Sequence, residues 1–195
     1  MSDREREGNV LRIGQLTWTD LRVPLSTIKV GATNPPDFVK WNDDGAGSAG
    51  ISAYHFSPTV IEQVHFDAQL PHAYHEGSEI QPHLHFLLPN VPTAGQRVRF
   101  GLEYSYSNVD EQYSATTIIY AERTFDGTET IKTQYIAGFD PDILDPNMKI
   151  SAMFSCRLFR DATHVNDTYP NDVIVLEFDF HYQSDGIGSE YVFVK

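Results

Sequence analysis

The sequence predicts a single all-β domain, an antiparallel sandwich or barrel of jelly-roll type. Three observations carry that expectation. Apolar and polar residues alternate with a period of two along successive segments, the signature of half-buried strands. Turn signals built from Gly, Pro, Asn and Asp separate those segments. No stretch sustains the apolar spacing of an amphipathic helix. With 195 residues the chain is long enough for one full hydrophobic core, and no internal repeat, low-complexity run or linker divides it.

Taken in order, Met1 to Gln15 are polar and charged without periodicity and read as a flexible N-terminal arm, leaving 16–195 as the domain. Leu16 to Val23 reads as a first strand that Pro24 ends. From Gly31 to Gly50 the composition is that of a loop, interrupted by the short Phe38-Val39-Lys40-Trp41. Gly45-Ala46-Gly47-Ser48-Ala49-Gly50 matches the spacing of a dinucleotide-binding fingerprint. That fingerprint needs a following helix to receive the phosphates, whereas Ile51 to Phe56 reads as a strand. Ser48 is no nucleophile elbow either, because Ala46 stands where the first glycine is required.

The later strands are cleaner. Gln63 to Leu70 puts Val64, Phe66, Ala68 and Leu70 inward and His65 and Asp67 outward. In the segment ending at Leu88, Leu84, Phe86 and Leu88 share one side and His83 and His85 the other. Arg97 to Ser107 turns Phe100, Leu102, Tyr104 and Tyr106 inward and Arg97, Arg99 and Glu103 outward. Ser114 to Glu122 is a β-branched run, and Asp126-Gly127 is a hairpin-type turn leading to Lys132 to Ile136. Asp140 to Asn147 is an acidic loop without the spacing or central glycine of an EF-hand. Ser151 to Arg160 and Asp172 to Gln183 are the last long strands, with a short one expected at Tyr191 to Val194. In the second of these, Leu176, Phe178, Phe180 and Tyr182 are expected on one side and Glu177, Asp179 and His181 on the other.

Composition excludes several functions. Fourteen basic residues against twenty-seven acidic ones give a formal charge of −13, which repels nucleic acid and anionic membrane alike. The lone Cys156 permits no intramolecular disulfide and falls on the apolar side of its strand. No apolar run is long enough for a signal peptide or a membrane span, so synthesis and folding in cytoplasm are expected. Trp18, Trp41 and Tyr74 lie near loops or strand ends, where core packing is the first expectation for each and contact with a partner the second.

The candidate functional residues are the ionisable ones on the polar sides of the strands: His65, Asp67, His83, His85, Arg97, Arg99, Glu103, Arg157, Glu177, Asp179 and His181. Rows of both signs point to a surface that meets a subunit or a partner. Two imidazoles spaced as in His83-Leu84-His85 can share a metal ion or pair with carboxylates on a neighbouring strand. Gly77, five residues, then His83-x-His85 resembles the opening of the first cupin motif, but no glutamate follows at the expected distance and the second motif is absent. A metal site would need a third ligand from Glu177, Asp179 or His181. No Ser or Cys sits in an activating context. The expectation is therefore no catalytic residue, no metal and no cofactor, with a cupin-like metalloenzyme using His83 and His85 as the alternative.

Several phrases together resemble a family of small proteins encoded by tailed bacteriophages. They are Trp18-Thr19-Asp20-Leu21-Arg22-Val23-Pro24-Leu25, Gln69 to His72 with His75 to Ser78, Pro82-His83-Leu84-His85-Phe86, Gly101 to Tyr104, Arg157 to Asp161, and Glu177 to Gln183 with Gly188-Ser189. The resemblance implies a non-enzymatic virion structural protein made in the host cytoplasm. Its first expected role is a homo-oligomeric decoration or cement protein, a dimer or trimer, on the exterior of the capsid, with the major capsid protein as partner. The alternative within the same class is a tail or fibre protein that binds a host glycan.

Overall fold

The computed structural model describes residues 12–25 and 28–192. Eleven strands are described: β1 (Arg12–Pro24), β2 (Lys29–Val30), β3 (Asp37–Asn42), β4 (Ile51–Phe56), β5 (Gln63–Gln69), β6 (Ile80–Leu87), β7 (Arg97–Ser107), β8 (Thr117–Thr124), β9 (Tyr135–Gly138), β10 (Met153–Arg160) and β11 (Val173–Gly186). They form two antiparallel sheets. One runs β3-β4-β11-β6-β9, with β1 also paired to β11, and the other runs β2-β5-β10-β7-β8. From β4 onward the spatial orders 4-11-6-9 and 5-10-7-8 interleave sequence neighbours between the sheets. That interleaving is the jelly roll expected from the alternation.

The alternation works because each strand gives one face to the space between the sheets. Phe66 on β5 meets Phe178 on β11 at 5.1 Å between ring centroids, and Phe154 on β10 meets Phe180 on β11 at the same distance. Phe56, Phe86 and Phe100 are fully buried in the same cluster. Burying each such side chain stabilises the fold by roughly 1.5–3 kcal/mol. Cys156 lies in this core, where burial pushes its thiol up.

Several details differ from the sequence expectation. β1 begins at Arg12, so 12–15 are sheet rather than arm; residues 1–11 lie outside the described part. Phe38 to Trp41 belong to a strand, β3, which pairs with β4 across the glycine loop. Asp126-Gly127 turns the chain, but β8 and β9 lie in different sheets and form no hairpin. Leu176 leaves the core face because a bulge between Val175 and Glu177 inserts one residue opposite β6. It packs instead with Ala53, Leu87, Ile174 and Trp41 in a small outer cluster. Tyr191 and Val192 are not in a strand, and 193–195 lie outside the described residues.

Candidate functional site

The sequence-selected ionisable residues divide between the two outer faces of the sandwich. His83, His85, Glu177, Asp179 and His181 share the outer face of the six-stranded sheet. His65, Asp67, Arg97, Arg99, Glu103 and Arg157 sit on β5, β7 and β10 and face outward from the other sheet.

On the five-stranded face several of the charges pair with one another. Arg157 donates from Nε to Glu103 at 2.8 Å and from Nη1 to Gln63 at 3.0 Å. The Arg157 bond holds the Glu103 carboxyl below its ordinary range. Arg99 donates to Asp161 at 2.9 Å and pairs with Glu122, and its guanidinium lies 3.7 Å from the centroid of Tyr120. Ser155 donates to Asp67. Arg97 opens β7, and His65, set between Lys29 of β2 and Arg157 of β10, borders a pocket with Lys29, Asp67 and Ser155.

The six-stranded face is built differently. β6 alternates, so Leu84 and Phe86 enter the core while His83 and His85 face out. Pro82 stands one residue before the β6–β9 ladder begins at His83↔Gly138 and its carbonyl accepts from Phe139 N–H at 2.9 Å, so its missing N–H removes only the reciprocal bond at the ladder's edge. Antiparallel register places Asp179 of β11 opposite His83 and Glu177 opposite His85. The Asp179 carboxylate turns between the two rings, with Oδ2 at 3.0 Å from His85 Nε2 and 3.6 Å from His83 Nε2. Asp179 is only 3 % exposed, and its Oδ1 is buried without a hydrogen-bond partner. Burial pushes its carboxyl up, Glu177 adds to that shift, and the two imidazoles oppose it.

The other edge of β11 brings in β1. Its register sets Asp20 opposite His181 and Arg22 opposite Asp179. Asp20 Oδ1 lies 2.6 Å from His181 Nδ1, which donates, and the Trp18 ring stacks on His181 at 5.0 Å and 9°. Arg22 grips Glu177 with two bonds of 2.7 and 2.6 Å, though its guanidinium is largely in solvent. An exposed pair of this kind contributes little stability, because solvent screens it.

Between β1, β6 and β9 lies an open cleft of about 550 Å³, with Asp20, Gln81, His83, His85, Asp142 and His181 supplying its polar lining. Gly138, opposite His83, has nothing within 4 Å of where a side chain would start, and this keeps the cleft open above the imidazole. Sequence reading missed Asp20 and Trp18 as members of this site. The signal was present, because Trp18, Asp20 and Arg22 alternate in β1; what was missing was the knowledge that β1 lies beside β11. It also missed Gln134, whose Nε2 is 2.6 Å from His85 Nδ1. Of the three aromatics near loops or ends, Tyr74 is in the core, Trp41 is partly buried and Trp18 is 40 % exposed on this face.

The glycine loop 45–50 joins β3 to β4 with no helix after it. Its acids serve the turn itself, Asp43 accepting from Gly45 N–H and Asp44 from Ala46 N–H.

No protein-family model and no curated protein matches the chain. Similar solved structures include the CBM22-1–GH10 modules of Clostridium thermocellum endo-1,4-beta-D-xylanase 10B complexed with xylohexaose, at TM-score 0.37 and 13 % identity over 89 % of this chain. The chain spans 27 % of the length of that protein. TmCBM61 in complex with beta-1,4-galactotriose is similar at TM-score 0.30 and 10 % identity, over 87 % of this chain and 88 % of that one. Scores of this size reflect a general likeness among β-sandwiches and assign this chain neither a ligand nor an activity.

Proposed function

We propose that the chain is a non-enzymatic structural protein of a tailed-phage virion that decorates and stabilises the head shell, docking through the outer face of its six-stranded sheet. The observation that carries this reading is the open cleft on the outer face of the six-stranded sheet, with exposed Ile136 in its lining and exposed Trp18 stacked on His181 beside it. Aromatic anchors beside arginine and desolvated polar groups are what the centre of a protein interface is made of. Binding only to the assembled shell stabilises that shell by mass action. Symmetric oligomers suit repeated docking positions, so a dimer or trimer is the expected unit. The charge of −13 keeps decorated particles apart in solution. The test is the abundance of the chain in purified virions: a decoration protein is present in numbers comparable to the major shell subunit.

A second reading, a tail or fibre protein that binds a glycan, is favoured by the cleft itself. Its volume falls within the range of small-ligand sites, and Gln81, Asp142, Asp20 and His181 offer donors and acceptors above apolar Ile136 and Phe139. Such a protein occurs in few copies per particle and retains an oligosaccharide on a glycan array, and the cleft-filling Gly138→Val variant loses that retention.

A further inference from the structure

His83, His85 and Asp179 bring three potential metal-ligand atoms within 4.8 Å of one another. From these positions we infer that the three side chains form a binding site for a divalent transition cation of the zinc type, with the remaining coordination position open to the cleft. The inference does not rest on the docking role, since the ligands all come from one chain and would act in the isolated protein.

Bonds of 2.0–2.1 Å in a tetrahedral arrangement put neighbouring ligand atoms about 3.3–3.4 Å apart. The separations of 3.0 Å from His85 Nε2 and 3.6 Å from His83 Nε2 to Asp179 Oδ2 bracket that value. The two imidazole nitrogens lie within 4.8 Å of each other, and ring rotation about χ2 is the movement that would bring all three atoms to that spacing.

Hydrogen bonding on the far side of each ring orients the ligand nitrogen. His83 Nδ1 lies 3.4 Å from the Gln81 carbonyl oxygen, which can only accept, so Nδ1 carries the hydrogen and Nε2 of the neutral ring presents its lone pair to Asp179. Two acceptors then face each other across 3.6 Å, a contact that a cation relieves. Gln134 holds His85 Nδ1 from the opposite sense, its Nε2 donating to Nδ1 in this orientation, and turning the amide over makes Oε1 the acceptor for Nδ1–H. Such outer contacts are the usual support of metal-bound imidazoles.

A second and independent feature is the orphaned Asp179 Oδ1. A carboxylate 3 % exposed with one oxygen lacking any partner is costly to bury. A bound dication offsets that cost. Two imidazoles and one carboxylate select a borderline transition metal over calcium or magnesium, which take oxygen ligands. His181 is engaged by Asp20 and Trp18 and stands outside the set.

The test uses the full chain after dialysis against a chelator. Calorimetric titration with Zn²⁺ should give one ion per chain, and Co²⁺ should develop the intense visible absorption of a tetrahedral site. Asp179→Asn and His85→Gln should each weaken Zn²⁺ binding by at least about tenfold, while His65→Gln on the opposite face leaves it unchanged. In the unsubstituted protein, Zn²⁺ should shift the imidazole nitrogen resonances of His83 and His85 and not those of His65 or His164. Failure of the unsubstituted chain to bind saturably overturns the site. So does saturation that moves other histidines, or binding of native strength in both ligand variants.

Discussion

Arg160 and Asp167 face each other inside the sandwich with side chains 0 % and 1 % exposed, joined by bonds of 3.0 Å from Nε and 2.8 Å from Nη2. The remaining guanidinium hydrogens go to the carbonyls of Phe56, Asn171 and Tyr169, so all five donors are used. One side chain thereby ties β10 to the end of β4 and to the segment entering β11. Arg160→Met leaves the buried Asp167 carboxylate without its ion-pair partner, holding only the Arg99 N–H, and should cost about 3–5 kcal/mol. Urea unfolding followed by tryptophan fluorescence measures it. Arg160→Lys, which keeps the charge but not the planar fork, should recover only part of the loss.

Gly101 is required by close packing rather than by backbone conformation. A Cβ there would lie 2.2 Å from the Phe159 ring, itself 5 % exposed and covered by Arg157 at 4.2 Å from its centroid. Gly101→Ala should displace Phe159 and destabilise the fold by about 1–3 kcal/mol, the range for overpacking. The companion variant Phe159→Leu should relieve much of that penalty in the double mutant, which a double-mutant cycle in urea reads directly.

His55 makes stability fall on mild acidification. Burial pulls its imidazole below the ordinary 6.5, against the opposing pull of Asp172 and Asp37, while Lys40 and Lys132 line the same small cleft. The folded value lies below the unfolded one. Stability from the neutral ring is thus complete above about pH 6.5 and declines as pH falls towards the folded value. Melting temperatures at pH 7.5 and 5.5 should differ less in His55→Gln than in the unsubstituted chain. An equal difference would remove His55 from the account.

Trp18→Ala and Ile136→Asp alter side chains that are 40 % and 49 % exposed, so each should change folding stability by less than about 1 kcal/mol. Both should nevertheless release the protein from virions at lower salt or temperature than the unsubstituted chain, as read by sedimentation of particles. Arg97→Ala on the opposite face is the control and should leave retention unchanged.

Much of the fold was legible because alternation with a period of two is a direct consequence of burying one strand face. Phe100, Leu102, Phe178 and Phe180 announce their burial by spacing alone, and the strand boundaries of β5, β7 and β10 follow within a few residues. Leu176 escaped because a bulge changes phase without a compositional mark. Arg160 looked like the polar end of a strand, since nothing local shows that Asp167 and three carbonyls converge on it.

The site was half legible for a related reason. His83 and His85 stand out because they are neighbours on one strand. Asp179, Asp20 and Trp18 join them only through the order of strands in the sheet, a long-range property set by the whole jelly roll. The same order sends Arg99, Arg157 and His65 to the far side of the sandwich, a separation that period-two patterning alone does not encode.

The measurement closest to the central claim is the number of copies of this chain per purified virion, counted against the major shell subunit by quantitative mass spectrometry. Copies on the scale of the shell subunit are the predicted result. A handful of copies would contradict shell decoration in favour of the tail reading, and absence from the particle would contradict a virion role altogether.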